Sequence, residues 1–339
     1  MVFRLPGLPI LLLAPALLAG SCSLAPSWQA AEAGRVQVRV EPGLDPALAP
    51  LLASWLQEDA AVLAERLHLP VPGSELLVYC GRGSHEGGLL GLRDGESGRF
   101  VVSPGGRPRI ELGHTREQEL RTLLRHELTH WILEGHGFPE WLNEGLAEYL
   151  SFELAERPSP EDLHHLLHGG LVLAGWGQPL EVVLPGGRRT EVRLRNWLPE
   201  LPRVLAMDYA DYEREVLAQA ALRDPEFHTG SHLLVRVLLE SGGPGAHLRY
   251  LEALRTGTGP WEAYLQVTGL AGEEEVTQAA SEALARALEE APEGRAAEAA
   301  FARCSCLQDR FLESGEVSIL AATQVSAFPG GGLQEIRPR

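Results

Sequence analysis

The segment His126-Glu127-Leu128-Thr129-His130 constrains this chain more than any other, because two imidazoles four residues apart come within reach of one ion on the face of a helix, whereas on a strand they lie too far apart. The flanking residues agree with a helix. Leu120, Leu124, Leu128 and Ile132 recur at four-residue spacing and make one apolar stripe. Thr115 can cap the start, with Glu117 and Glu119 in the first turn, and Gly135 and Gly137 stop the pattern after Leu133. A second helix is expected from Glu140 to Ala155, after Pro139, with Leu142, Leu146, Tyr149 and Leu150 available for burial. Both histidines can then bind one divalent metal, and Glu127 on the adjoining surface can take a proton from water polarised there. Zinc lowers the pKa of such a water from roughly 15.7 to about 7, which makes it a nucleophile for an amide carbonyl near neutral pH.

A catalytic zinc site takes three protein ligands and leaves one position open. Two residues can supply the third. His136 lies six residues beyond His130, but the pattern H-E-x-x-H-x-x-G-x-x-H needs Gly three residues after the second His, where this chain has Leu133. Glu144 lies on the second helix, which residues 135–139 allow to fold back against the first.

At Leu124-Arg-His-Glu-Leu-Thr-His130 and Pro139-Glu-Trp-Leu-Asn-Glu-Gly-Leu-Ala-Glu-Tyr-Leu150 the chain resembles the gluzincin zinc metallopeptidases, in particular the peptidase-MA-like bacterial proteins. The resemblance covers about 40 residues. It implies His126, His130 and Glu144 as zinc ligands, Glu127 as general base, and Glu148 as the carboxylate that orients the first ligand histidine. Read by itself, Glu148 is equally a solvated helix residue. The family's oxyanion donor is usually a Tyr or His from a later segment, and His228, in Phe227-His-Thr-Gly-Ser-His-Leu-Leu234, occupies that place. His232, Tyr209 and Tyr212 are alternatives. Arg109 to Leu112 resembles the edge strand on which gluzincins hold an extended peptide, and reads as well as an interior strand. The exopeptidase motif Gly-x-Met-Glu-Asn is missing, which favours an endopeptidase. The rival is a non-catalytic envelope module whose zinc is structural, with His136 as its fourth ligand.

The rest of the chain reads as α+β: a small N-terminal mixed sheet, the two-helix zinc-binding core, and a mostly helical C-terminal part, zincin-like in outline. Val36, Val38 and Val40 alternate as a half-buried strand, Pro46 to Leu67 has helical spacing, and Leu76 to Tyr79 is a short apolar run. Hairpins are expected around Pro104-Gly105-Gly106 and Pro185-Gly186-Gly187. Helix dominates thereafter to about Leu288. His164, His165 and His168 read as an exposed face, and Cys304-x-Cys306 lacks the second pair that a metal site needs.

The N-terminus speaks to location. Arg4, the apolar Leu8 to Leu18 and the small Ala19-Gly20-Ser21 before Cys22 follow the order of a secretory signal, and the small residues before Cys resemble a bacterial lipobox with Cys22 as lipid attachment site. The expected divisions are 1–21 signal peptide, 22–34 tether, 35–155 sheet and active-site helices, 156–326 helical subdomain and 327–339 flexible tail. With 29 Arg, no Lys and 46 acidic residues, the net charge is −17, and no basic run offers a nucleic-acid footprint. The expected partners are a peptide or protein substrate and the membrane reached through Cys22.

Overall fold

Alternating valines turn one face of strand β2 (Val36–Val40) into the core, and in the computed structural model all three valines are buried. The structure describes residues 28–82, 90, 98–102, 107–113, 117–155, 158, 163, 166, 180–183, 189–192, 201–215, 220–291 and 324–325. Residues 1–21, Cys22, Thr115, the cluster His164, His165 and His168, Cys304, Cys306 and residues 327–339 lie outside these.

Strand β1 (Gln29–Ala33) pairs antiparallel with β2, Ala33 opposite Val36. This corrects the tether expected over 22–34. The sequence Gln-Ala-Ala-Glu-Ala has little strand propensity of its own. Its extension comes from β2, from the turn at Gly34, whose φ of 60° suits glycine, and from Trp28 set edge-on against Tyr79 at 5.5 Å. Helix α1 (Leu48–Leu67) crosses from β2 to β3 (Leu76–Gly81), which lies parallel to β2. Strands β4 (Gly98–Val101) and β5 (Arg109–Gly113) form the expected antiparallel hairpin, Phe100 opposite Ile110. Because β5 also pairs with β3, the order is β1-β2-β3-β5-β4. Arg109 to Leu112 is therefore interior, and the edge is β4. Cys80 of β3 is a buried free cysteine, its thiol pushed up to about 12 by burial and by Glu41.

Helices α2 (Glu117–Leu133) and α3 (Glu140–Glu153) follow the expected boundaries closely. Leu120, Leu124, Leu128 and Ile132 are fully buried, each worth roughly 1.5–3 kcal/mol of burial. The turn between the helices needs positive φ twice, and Gly135 and Gly137, both at 76°, supply it. The later helices are α4 (Leu201–Leu205), α5 (Tyr209–Glu215), α6 (Ala220–Gly242), α7 (Ala246–Arg255), α8 (Pro260–Thr268) and α9 (Glu273–Glu290). The second expected hairpin is present as β6 (Leu180–Val183) and β7 (Arg189–Val192), and β8 (Gln324–Val325) adds a third antiparallel strand to it. The architecture is α+β, a five-stranded mixed sheet with a predominantly helical remainder.

Three devices fix the central helices. Asp59 of α1, only 3% exposed, receives the forks of two α2 arginines: Arg121 at 2.9 and 3.0 Å and Arg125 at 3.0 and 3.1 Å. Arg125 also donates to the Leu154 carbonyl at the end of α3. Trp141, fully buried in α3, meets Tyr250 of α7 and Tyr264 of α8 edge-on at 5.4 and 5.8 Å. Gly145 lets α3 touch α6, since a Cβ there would lie 2.5 Å from the Ser231 carbonyl oxygen. Replacing Asp59 by Ala leaves two guanidinium groups without their shared carboxylate. Urea unfolding of Asp59→Ala is expected to show a loss of about 3–5 kcal/mol.

Candidate metal centre

The i, i+4 spacing on α2 brings His126 and His130 side by side, with Nε2 atoms 3.1 Å apart. From α3, Glu144 Oε2 stands 3.4 Å from His130 Nε2 and 3.6 Å from His126 Nε2. Ligand atoms on a tetrahedral ion at 2.0–2.1 Å are separated by about 3.3 Å, so the triangle has the size such an ion requires. His136 is not part of this group. Its ring lies 6.3 Å from that of Phe138, and its carbonyl accepts from Arg255 at 2.9 Å.

The ring orientations are set from behind. His130 Nδ1 faces Asn143 Oδ1 at 3.2 Å, and His126 Nδ1 faces Glu148 Oε1 at 3.6 Å. Asn143 Oδ1 accepts from His130 Nδ1, Glu148 is a longer polar partner for His126 Nδ1, and the two Nε2 atoms are left facing one another. Glu144 Oε2 is buried without an aligned hydrogen-bond donor, although three imidazole nitrogens lie within 3.6 Å of it. Two ring nitrogens and a buried carboxylate oxygen without an aligned donor converge on a point that a proton or a cation can occupy. The donor set therefore fits a divalent metal.

A proton competes for that place. Burial opposes the charge on His130, but the carboxylates of Glu144 and Glu127 and the acceptor on Asn143 raise its pKa to about 9. Burial likewise works against the Glu144 carboxylate, yet His130 and His228 hold it well below the usual range. Glu140, first residue of α3, is pushed up to about 7 by burial and by Glu144.

Glu127 is 4% exposed and sits beneath the edge strand. A Cβ on Gly98 of β4 would fall 3.0 Å from Glu127 Oε1 and 2.8 Å from Leu123 Cδ1, so any side chain there would push those two side chains aside. Sequence reasoning missed Gly98 and Asn143. Asn143 adjoins Glu144 in the motif, but nothing local shows that it reaches His130.

His228, on α6, joins the site as expected for a later segment. Its Nδ1 lies 3.4 Å from Glu144 Oε2 and 3.3 Å from Glu148 Oε1, and its Nε2 faces the Tyr212 hydroxyl at 3.4 Å. His232 is elsewhere, buried between Tyr149 and Phe152 at 6.1 and 5.5 Å. Tyr209 is 60% exposed, its ring 6.2 Å from that of Tyr212. Among the described residues two overlapping groups could hold an ion, His126 with His130 and Glu144, and His126 with Glu148 and His228.

Neither the protein-family models nor the curated sequences compared with this chain match it.

A divalent ion must displace the proton that His130 carries below about pH 9. Zinc titrations at several pH values should show apparent affinity rising about tenfold per unit toward pH 9 and levelling above it. An affinity flat from pH 6 to 8 would remove His130 from the ligand set.

Proposed function

We propose that the chain is a zinc-dependent metallopeptidase of the gluzincin type, an endopeptidase that hydrolyses peptide bonds in the cell envelope or outside the cell. One observation carries the reading. Three donors from α2 and α3 converge at tetrahedral spacing with the carboxylate of Glu127 beside them, and no fourth metal-binding side chain belongs to that group among the described residues. A closed structural site takes four protein ligands, whereas a hydrolytic one keeps a position for water.

His126, His130 and Glu144 would hold the ion, which supplies charge that acidifies a water and polarises the scissile carbonyl. Glu127 takes the proton of the attacking water and returns it to the leaving amine. Strand β4 lies at one end of the described sheet order and beside Glu127, a position suited to receive an extended peptide. His228 is the candidate donor to the oxyanion, a role it fills only as an imidazolium, since the single proton of its neutral ring faces Glu148. The location rests on the signal-like residues 1–21 and on Cys22 as lipid attachment site. No helix among the described residues is long and apolar enough to cross a membrane.

Glu127→Gln keeps the ligands and removes the base. With casein or a fluorogenic peptide library as substrate, hydrolysis by the zinc-loaded chain is expected, and the variant should lose it by at least a hundredfold while retaining one zinc per chain. Zinc binding without hydrolysis by the unaltered chain on any library member would favour a structural ion instead.

A further inference from the structure

Glu148 faces two imidazoles at once. Its Oε1 stands 3.6 Å from His126 Nδ1 and 3.3 Å from His228 Nδ1, and those two rings lie 18° from parallel with centroids 6.2 Å apart. A carboxylate only accepts, so the Nδ1 of His228, at hydrogen-bond distance, carries the proton of its neutral ring and its Nε2 keeps the lone pair, while His126 Nδ1 turns toward the same oxygen from 3.6 Å. The Nε2 of His126 faces the ligand triangle. The lone pair of His228 faces the hydroxyl of Tyr212, which therefore donates. Hydrogen bonding then runs one way, from Tyr212 on α5 to His228 on α6 to Glu148 on α3, and His126 Nδ1 faces the same carboxylate oxygen at the longer distance of 3.6 Å. Tyr212 is 5% exposed and its ring meets that of Phe227 at 4.7 Å, so the hydroxyl is held by packing.

We propose that Tyr212 and His228 are positioning residues for the metal ligand His126, acting through Glu148. The proposal rests on His126, His130 and Glu144 being a metal centre. Glu148 is a flexible side chain, 26% exposed, and on its own it would share its time among rotamers. Donation from Tyr212 fixes the tautomer of His228 and strengthens the opposite N–H as a donor, which holds Glu148 in the rotamer that meets His126. The imidazole of His126 is thereby aimed before any ion arrives. The support of the ligand set thus extends to two helices that contribute no ligand.

The test is zinc affinity of the full chain, measured by competition with a chromophoric chelator, with thermal unfolding recorded alongside. Glu148→Gln should weaken binding about 10-fold to 100-fold. Tyr212→Phe keeps the ring, loses the hydroxyl, and should weaken binding about threefold to tenfold. Added to Glu148→Gln, Tyr212→Phe should cause no further loss, because the link it acts through is gone. His228→Gln interrupts the same link and should match Tyr212→Phe if the latter folds poorly. Cobalt-loaded Tyr212→Phe should also show displaced visible bands, since the aim of one ligand has changed. Unaltered zinc affinity in both Tyr212→Phe and His228→Gln, or the same fold-loss from Tyr212→Phe in both backgrounds, would overturn the proposal. A role confined to the oxyanion would give the first of these results with slowed turnover only. Failure of the unaltered chain to bind zinc would instead overturn the centre itself.

Discussion

The rotation of α2 about its own axis is the constraint on which the rest depends, and a single buried carboxylate sets it. Asp59 reaches from α1 to two consecutive turns of α2 and accepts two guanidinium forks, so the helix can neither roll nor slide without leaving a charge unpaired. With that side fastened, the leucine stripe enters the core, Glu127 comes to lie beneath β4, and His126 and His130 are left facing α3. A roll of one residue, about 100°, would carry the imidazoles away from Glu144. Arg125 extends the same fastening to the far end of α3 through the Leu154 carbonyl.

The centre is electrostatically unfinished as protein alone. Elsewhere in the described core, charged groups meet opposite ones, as Arg236 does with Glu153 and Glu240 while lying over the rings of Tyr149 and Phe152. Among His126, His130 and Glu144, by contrast, a single proton is shared between two rings and a buried carboxylate. Four carboxylates, Glu127, Glu140, Glu144 and Glu148, lie on α2 and α3 here; Glu144 and Glu127 lift the proton affinity of His130 against the effect of its burial, and burial together with Glu144 leaves Glu140 reluctant to ionise. Such a cluster is costly to assemble unless positive charge is added, which distinguishes it from a surface patch of acids.

What could be read in advance follows the range of the forces involved. The apolar stripe of α2, the stop at Gly135 and Gly137 and the hairpin of β4 and β5 are matters of local spacing, visible in a window of twenty residues, while the choice of Glu144 over His136 came from the resemblance of both helices to a known signature. The strand at Gln29–Ala33 was not visible, because its extension is imposed by β2 and Tyr79 rather than by its own residues. The interior position of β5 was likewise undecided, since parallel pairing with β3 leaves no mark on either sequence. Within the site, His126, Glu127, His130 and Glu144 were legible from the motif. Asn143, the closeness of Gly98, and the joining of Tyr212 to Glu148 through His228 were not, for each depends on a partner placed by tertiary packing. Gly145 carried a signal of a weaker sort, a glycine in mid-helix, which the contact with Ser231 explains.

The separation in sequence between ligands and supports has a consequence for how the protein comes into being. The three ligand residues lie within a single helical hairpin, whereas His228 follows Glu148 by 80 residues. At about 5–20 residues per second, the hairpin leaves the ribosome roughly 4–16 s before the helix that covers it. During that interval the nascent chain holds a complete set of ligand side chains whose surroundings are still open to solvent. If these residues form a metal centre, an ion can reach them before the helical half closes, and the order of the genetic message sets that interval.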